Sequence, residues 1–163
     1  MLHRPHAVPS SRLMISTDSN ALWTRRFFWL VGGMLLVRVF YMAVVPLELS
    51  GDEAYYWDWG RQPDWCYFSK PPLIGWLMAV IRMTSGYHWE AVRFTSALLA
   101  TGTLTMLFLT GRALFDARAG FVAALLMLLT PAFSLLSIAL INDAPLMLCW
   151  AASLLLFWRA AQV

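Results

Sequence analysis

Charge is scarce in this chain of 163 residues: Asp, Glu, Lys and Arg together make up 13% of it, about half the share of an ordinary soluble domain. Hydrophobic residues make up 60%, and the mean hydropathy is +0.63. That shortage excludes a soluble globular domain and points to an integral membrane protein. Cysteine is nearly absent as well. Cys66 lies in a polar stretch and Cys149 in an apolar run, with no CxxC or metal-type spacing, so two free thiols and no structural disulfide are expected. Histidine is limited to His3, His6 and His88, none with an evident partner. No basic cluster interleaved with aromatics occurs, so the net charge of +3 carries no nucleic-acid footprint and reads instead as orientation information. Internal repeats and low-complexity tracts are also missing.

What is present is a series of apolar runs. Residues 1–24 are polar and irregular, with Pro5, Pro9 and several serines, and read as a flexible cytoplasmic tail. Arg25 and Arg26 then introduce "FFWLVGGMLLVRVFYMAVVPL", about the 20 residues needed to cross a hydrocarbon core. This run is too long for a signal-peptide core and is followed by no A-x-A type cleavage site, so it is expected to be an uncleaved anchor. "PPLIGWLMAVIRM" is different: it reaches only about 20 Å as a helix and is expected to lie in the interface. "AVRFTSALLATGTLTMLFLTGRALF" is a second span. "AGFVAALLMLLTPAFSLLSIALI" is a third, kinked at Pro131, and "APLMLCWAASLLLFWRA" a fourth. The expected fold is therefore an all-α integral membrane protein with about four transmembrane helices, plus short interfacial helices in the first external loop.

The charges support this order. With the short helix in the interface, Arg4, Arg12, Arg25, Arg26, Arg112, Arg118 and Arg159 fall inside. Arg61, Lys70, Arg82 and Arg93 fall outside, beside the carboxylates of Glu48, Asp52, Glu53, Asp58, Asp64, Glu90 and Asp143. Making the short helix a span would move Arg112 and Arg118 outside, against the positive-inside rule. The loop 46–70 and the Asn142–Asp143 turn then share the external face.

That loop holds most of the chemistry. Ser50 and Glu53 have capping-box spacing, which predicts a short helix from Gly51 to about Gly60, with Tyr55, Tyr56, Trp57 and Trp59 as an interfacial aromatic belt. Capping accounts for Glu53 but not for Asp52. Adjacent carboxylates diverge by about 100° on a helix, so the pair can serve two jobs: one takes a proton from an acceptor hydroxyl while the other orients a substrate or completes the cap. In "YFSKPPL" the prolines keep Lys70 on an extended segment just before a helix. Such a lysine holds either a substrate phosphate or a lipid headgroup. Asp143 is a good N-cap as well as a candidate site residue. Arg38, midway along the first span, is a pairing or functional residue by default, and Arg93 is a headgroup contact or a second phosphate ligand.

Taken together, "DEAYYWDWG", "YFSKPPLIGWL", "VRFTSALLATGTL" and "INDAPLMLCW" resemble the N-terminal part of the bacterial GT-C membrane glycosyltransferases related to protein O-mannosyltransferases and to the aminoarabinose transferase acting on lipid A. The resemblance covers roughly residues 25–160. It implies a GT-C transmembrane domain over 25–163, truncated relative to family members several hundred residues long, with residues 46–90 as external catalytic loop and interfacial helix. It further implies a polyprenyl-phosphate sugar donor, a lipid, glycan or protein hydroxyl acceptor, membrane lipids as surroundings, and the bacterial inner membrane with the N-terminus cytoplasmic and the loop periplasmic. Asp52 is implied as the catalytic carboxylate with Glu53 beside it, Lys70 and Arg93 as donor phosphate ligands, and Asp143 as a second acidic position. No cofactor is fixed by it. A divalent metal is compatible, although Ser69 stands where some relatives carry a glutamate, which counts against a metal site of that kind. The competing readings are an inactive membrane protein that keeps the loop for lipid binding or interaction, and, more weakly, a small transporter subunit.

Overall fold

The computed structural model describes residues 10–45, 48–86 and 88–162. His3, His6, Arg4 and Pro46 lie outside the described residues. Seven helices follow in order among those described: α1 (Ser10–Val44), α2 (Gly51–Trp59), α3 (Leu73–Ser85), α4 (Trp89–Leu114), α5 (Ala117–Leu129), α6 (Pro131–Leu136) and α7 (Asp143–Ala160). No strand occurs among the described residues. Two helical segments, Ser19–Val44 and Trp89–Leu114, have the length and apolar composition of membrane spans.

α1 begins well before the expected anchor, so residues 10–24 are helical where an irregular tail was expected. Once the apolar part has nucleated a helix, each further residue adds a hydrogen bond at little cost, and Leu13, Met14, Ala21 and Leu22 offer no break. The extension is also used. Asn20 Oδ1 accepts from the first free amide of α5, Ala117 N, at 3.2 Å, and Trp23 packs on Phe121 with ring centroids 5.3 Å apart.

The expected third span is not one kinked helix but two, α5 and α6, separated at Thr130. A residue before proline is pushed out of the helical region, and Thr130 takes ψ 118°. The chain nevertheless returns to the far end of the bundle, because residues 137–139 bond to Ser96 and Arg93 near the start of α4. The short helix α3 forms over 13 residues close to the expected run and ends at Gly86, whose φ of +70° favours glycine.

Two apolar clusters hold the bundle. At the end where α4 meets α5, Phe27 stacks on Phe108 at 4.1 Å, with Leu104 and Ala124 buried beside them. There Gly111 and Gly120 let the helices approach closely: a Cβ on Gly120 would stand 2.4 Å from Phe108 O. Gly120→Ala should therefore destabilise the protein by about 1–3 kcal/mol, despite a gain of about 1 kcal/mol in helix propensity. Gly32→Ala, where a Cβ meets nothing within 4 Å, should not. Thermal unfolding in detergent of the two variants side by side checks this; equal midpoints would rule out the close approach. The second cluster lies at the opposite end, where Tyr56, Ile74, Met78, Val92 and Leu140 join α2, α3, α4 and the segment before α7.

Candidate functional site

The site is built around α2. Ser50 caps it: the Ser50 Oγ accepts from Glu53 N at 3.4 Å, and the Ser50 amide donates to Glu53 Oε2 at 2.9 Å, so both halves of the capping box are in place. Glu53 is fully buried. Its Oε2 also meets Arg93 Nη2 at 3.0 Å, and its Oε1 accepts from the Leu140 amide at 2.9 Å. One carboxylate thus ties the loop to α4 and to the segment leading into α7. Arg93, itself buried, completes the node by donating to Glu48 O at 2.6 Å and to Ile138 O at 3.2 Å. Glu53 and Arg93 are therefore brought together, each largely occupied by the other and by backbone.

Asp52 has the opposite surroundings. It is exposed, one position along α2 from Glu53 and one turn before the buried Tyr56. Burial pushes the Tyr56 phenol above its ordinary ionisation range, and the negative charges of Asp52 and then Asp143 push it further. Both carboxylates thus act on one phenol, although they are 91 residues apart in the chain. Sequence reasoning placed Tyr56 only in the aromatic belt, not among the site residues; its i+4 spacing from Asp52 was the signal that could have found it.

Asp143 does not cap α7, contrary to one expectation. Asn142 is the cap residue, in helical conformation and with no side-chain cap bond, and Asp143 begins the helix. A cap at Asp143 would aim partly at Pro145, which has no N–H, while Leu146 N reaches back to Asn142 O. The Asp143 carboxylate is left exposed.

Lys70 is exposed on the segment that enters α3 and belongs to none of the ion pairs among the described residues. No described contact joins it to Asp52 or Asp143. The loop that carries it is held by aromatic rings. Tyr67 stacks on Trp59 at 4.2 Å, its hydroxyl lies 3.2 Å from the Trp59 and Gln62 carbonyls, and Trp76 Nε1 donates to Asp64 O at 3.0 Å. A Cβ on Gly75 would stand 2.6 Å from the Tyr67 hydroxyl, so the glycine is what lets the ring lie on α3. The aromatics expected as a membrane belt are thus partly spent inside the loop, while Phe68 is fully exposed and Trp65 packs edge-on against Trp76 with ring centroids 5.0 Å apart.

Arg38 donates to Ser137 Oγ across the bundle. Among the described residues no group of three or more His, Cys, Asp or Glu side chains is arranged to hold a metal.

Comparison with known proteins adds to this geometry. A family model described as dolichyl-phosphate-mannose-protein mannosyltransferase matches residues 69–163, more than half of the chain. Lys70, Arg93 and Asp143 fall inside that match, whereas Asp52 and Glu53 precede it. The lipid A galacturonosyltransferase RgtD of Rhizobium johnstonii is 28% identical over 137 residues, 82% of this chain and 28% of the relative. The chain therefore spans little more than a quarter of that relative's length. No solved structure matches.

Proposed function

The chain belongs to the dolichyl-phosphate-mannose-protein mannosyltransferase family, and on that premise we propose that it carries part of a membrane glycosyltransferase that moves a sugar from a polyprenyl-phosphate donor to a hydroxyl acceptor at the external membrane face. The observation that carries this reading is the division of labour between two adjacent carboxylates. Glu53 is buried and fixes the loop to the bundle, while Asp52 is exposed beside Tyr56 and shares that phenol with Asp143. A capping role alone needs only Glu53.

In the proposed reaction Asp52 takes the proton of the acceptor hydroxyl as its oxygen attacks C1 of the sugar. The bond from C1 to the phosphate oxygen breaks with inversion, and the phosphate leaves with the electron pair. Lys70, exposed and unpaired by any described carboxylate, stabilises the charge that develops there. Asp143, whose charge also reaches Tyr56, supports the acceptor. Glu53 is a positioning residue, and Arg93 serves the donor phosphate through the face that Glu53 leaves free. The relative's name favours lipid A as the acceptor and a uronic acid as the sugar; the family's name favours mannose and a protein.

The experiment is a transfer assay in membranes carrying this chain, and in membranes carrying it within any longer frame that encodes it. Labelled polyprenyl-phosphate mannose and galacturonate are offered with lipid A and with peptide. Lys70→Ala should raise the donor KM by roughly 10- to 100-fold, the loss of one charge-assisted phosphate contact, and leave the acceptor KM unchanged. Transfer with an unaltered donor KM would remove Lys70 from the site. No transfer from any donor in any frame would leave the loop as a lipid-binding or interaction element.

A further inference from the structure

The end of the bundle away from the loop gathers positive charge. Where α1, α4 and α5 meet there, the described side chains include Arg25, Arg26, Arg112 and Arg118 against the single carboxylate of Asp116. One oxygen of Asp116 is taken by the Ala119 amide at 2.7 Å. Arg26 and Arg118 converge from two helices on one ring: their guanidinium carbons lie 4.5 and 5.8 Å from the centroid of Trp23. The two like charges are therefore no more than about 10 Å apart, about one screening length at 0.1 M salt. Neither belongs to an ion pair among the described residues. The ring attracts both cations but brings no negative charge between them. A bias of basic residues towards one membrane face explains arginines at this end. It does not call for two of them on one tryptophan.

The surface beside this pair is apolar. Trp29 and Gly33 follow Arg26 on the same face of α1, one and two turns further along, and both are exposed. An open groove of about 500 Å³ runs there, lined by Trp29, Leu30 and Gly33 from α1 and by Leu128 from α5, and reaching Arg38 and Ser134 at its deep end. At Gly33 an added Cβ would meet nothing within 4 Å. The depths agree: Gly33 lies about 10 Å along α1 from Arg26, and Leu128 about 15 Å along α5 from Arg118. The groove thus starts about one turn beyond the arginines and leads into the bundle from them.

We propose that this end of the bundle holds one acidic membrane phospholipid, its headgroup between Arg26 and Arg118 beside Trp23 and one acyl chain in the groove between α1 and α5. Arginine forks match the oxygens of a phosphodiester, and basic pockets between membrane helices suit acidic headgroups. A free anion would meet the two charges and leave the groove uncovered. A neutral lipid would fill the groove and leave the charges unmatched. The 26 residues of α4, about 39 Å long, separate this site from the loop that carries Asp52 and Lys70. It is therefore a lipid of the opposite leaflet, not the sugar donor. The inference does not rest on the transferase reading, because it stands or falls on binding.

The test uses the purified chain in nanodiscs of phosphatidylcholine with dioleoyl phosphatidylglycerol as the probe, and native mass spectrometry reads the retained lipids. One phosphatidylglycerol should be held at least tenfold more tightly than the next and than phosphatidylcholine. Arg26→Gln and Arg118→Gln should each weaken it at least fivefold, and together by clearly less than the product, because both act on one headgroup. Arg159→Gln removes a charge at the same end but away from Trp23, and should change retention less than twofold. Gly33→Leu spares every arginine and enters open space, so it should fold; by filling the groove it should weaken the lipid at least fivefold. Glycerol 3-phosphate should compete at least a hundredfold more weakly than the lipid. An equal loss from Arg159→Gln and Arg26→Gln would mean a diffuse charged surface and overturn the site. Equal retention of phosphatidylcholine would do the same. Unchanged retention in Gly33→Leu, or equal competition by glycerol 3-phosphate, would overturn the placing of an acyl chain in the groove.

Discussion

Asp52→Asn should lower sugar transfer by roughly two to four orders of magnitude, the usual worth of a positioned general base, while the protein still folds and inserts. The structural cost is small because Asp52 is exposed and the cap on α2 is made by Ser50 and Glu53. An amide cannot take the acceptor proton, so the loss should fall on kcat rather than on the KM of either substrate. A second readout is independent of turnover. The Tyr56 phenol is raised by burial first and then by the Asp52 charge. A negative neighbour disfavours the phenolate, so its removal should let Tyr56 ionise at lower pH, though still above an ordinary tyrosine because burial and Asp143 remain. Ultraviolet titration, with Tyr56→Phe subtracted, measures this. Unchanged transfer in an active background would end the catalytic assignment, and an unchanged Tyr56 titration would separate Asp52 from the phenol altogether.

Glu53→Gln should cost about 3–5 kcal/mol of stability, the penalty for leaving one member of a buried ion pair without its partner. Glutamine retains the shape, but its single oxygen can accept from only one of the Ser50 and Leu140 amides, which bond to different carboxylate oxygens, so the change removes the charge and one acceptor together. It leaves the Arg93 guanidinium buried against two carbonyls with no counter-charge. Arg93→Met should cost a similar amount for the converse reason. Combined, Glu53→Gln and Arg93→Met should cost clearly less than the sum, because no uncompensated charge remains. Thermal unfolding of the four proteins in one detergent gives the cycle. Single variants within about 1 kcal/mol of wild type would mean that the pair is solvated and does not hold the loop. Transfer should fall with stability in this series, since Glu53 acts by fixing the segment on which Asp52 sits.

The two carboxylates show how unevenly the chain can be read. Ser50 and Glu53 are three residues apart, and their reciprocal hydrogen bonds follow from that spacing in any helix start. The same locality made α2, α3, α4 and α7 readable: their apolar runs, their proline and glycine limits and their lengths all act within a few residues. The resemblance of four short motifs to a glycosyltransferase family was legible in the same way, and the family match supports it. The segment expected as a third span was legible as apolar but not as broken, because the choice between a kink and a stop at Thr130–Pro131 depends on what the following residues bond to. Here they bond to Ser96 and Arg93.

By its own composition and spacing the sequence determined that the chain is helical and apolar, where α2, α3, α4 and α7 begin and end within a turn or two, and that most of its carboxylates gather in one loop. The tertiary structure alone decided which of those groups meet. Glu53 finds Arg93 across 40 residues, Leu140 across 87, and Arg38 finds Ser137 across 99. Nothing in the local pattern distinguishes a glutamate that only caps from one that also takes a buried arginine, because the difference lies in desolvation. Burial by Leu140, Val92 and their neighbours makes the Glu53–Arg93 charges need each other, and Asp52, one residue away, stays exposed.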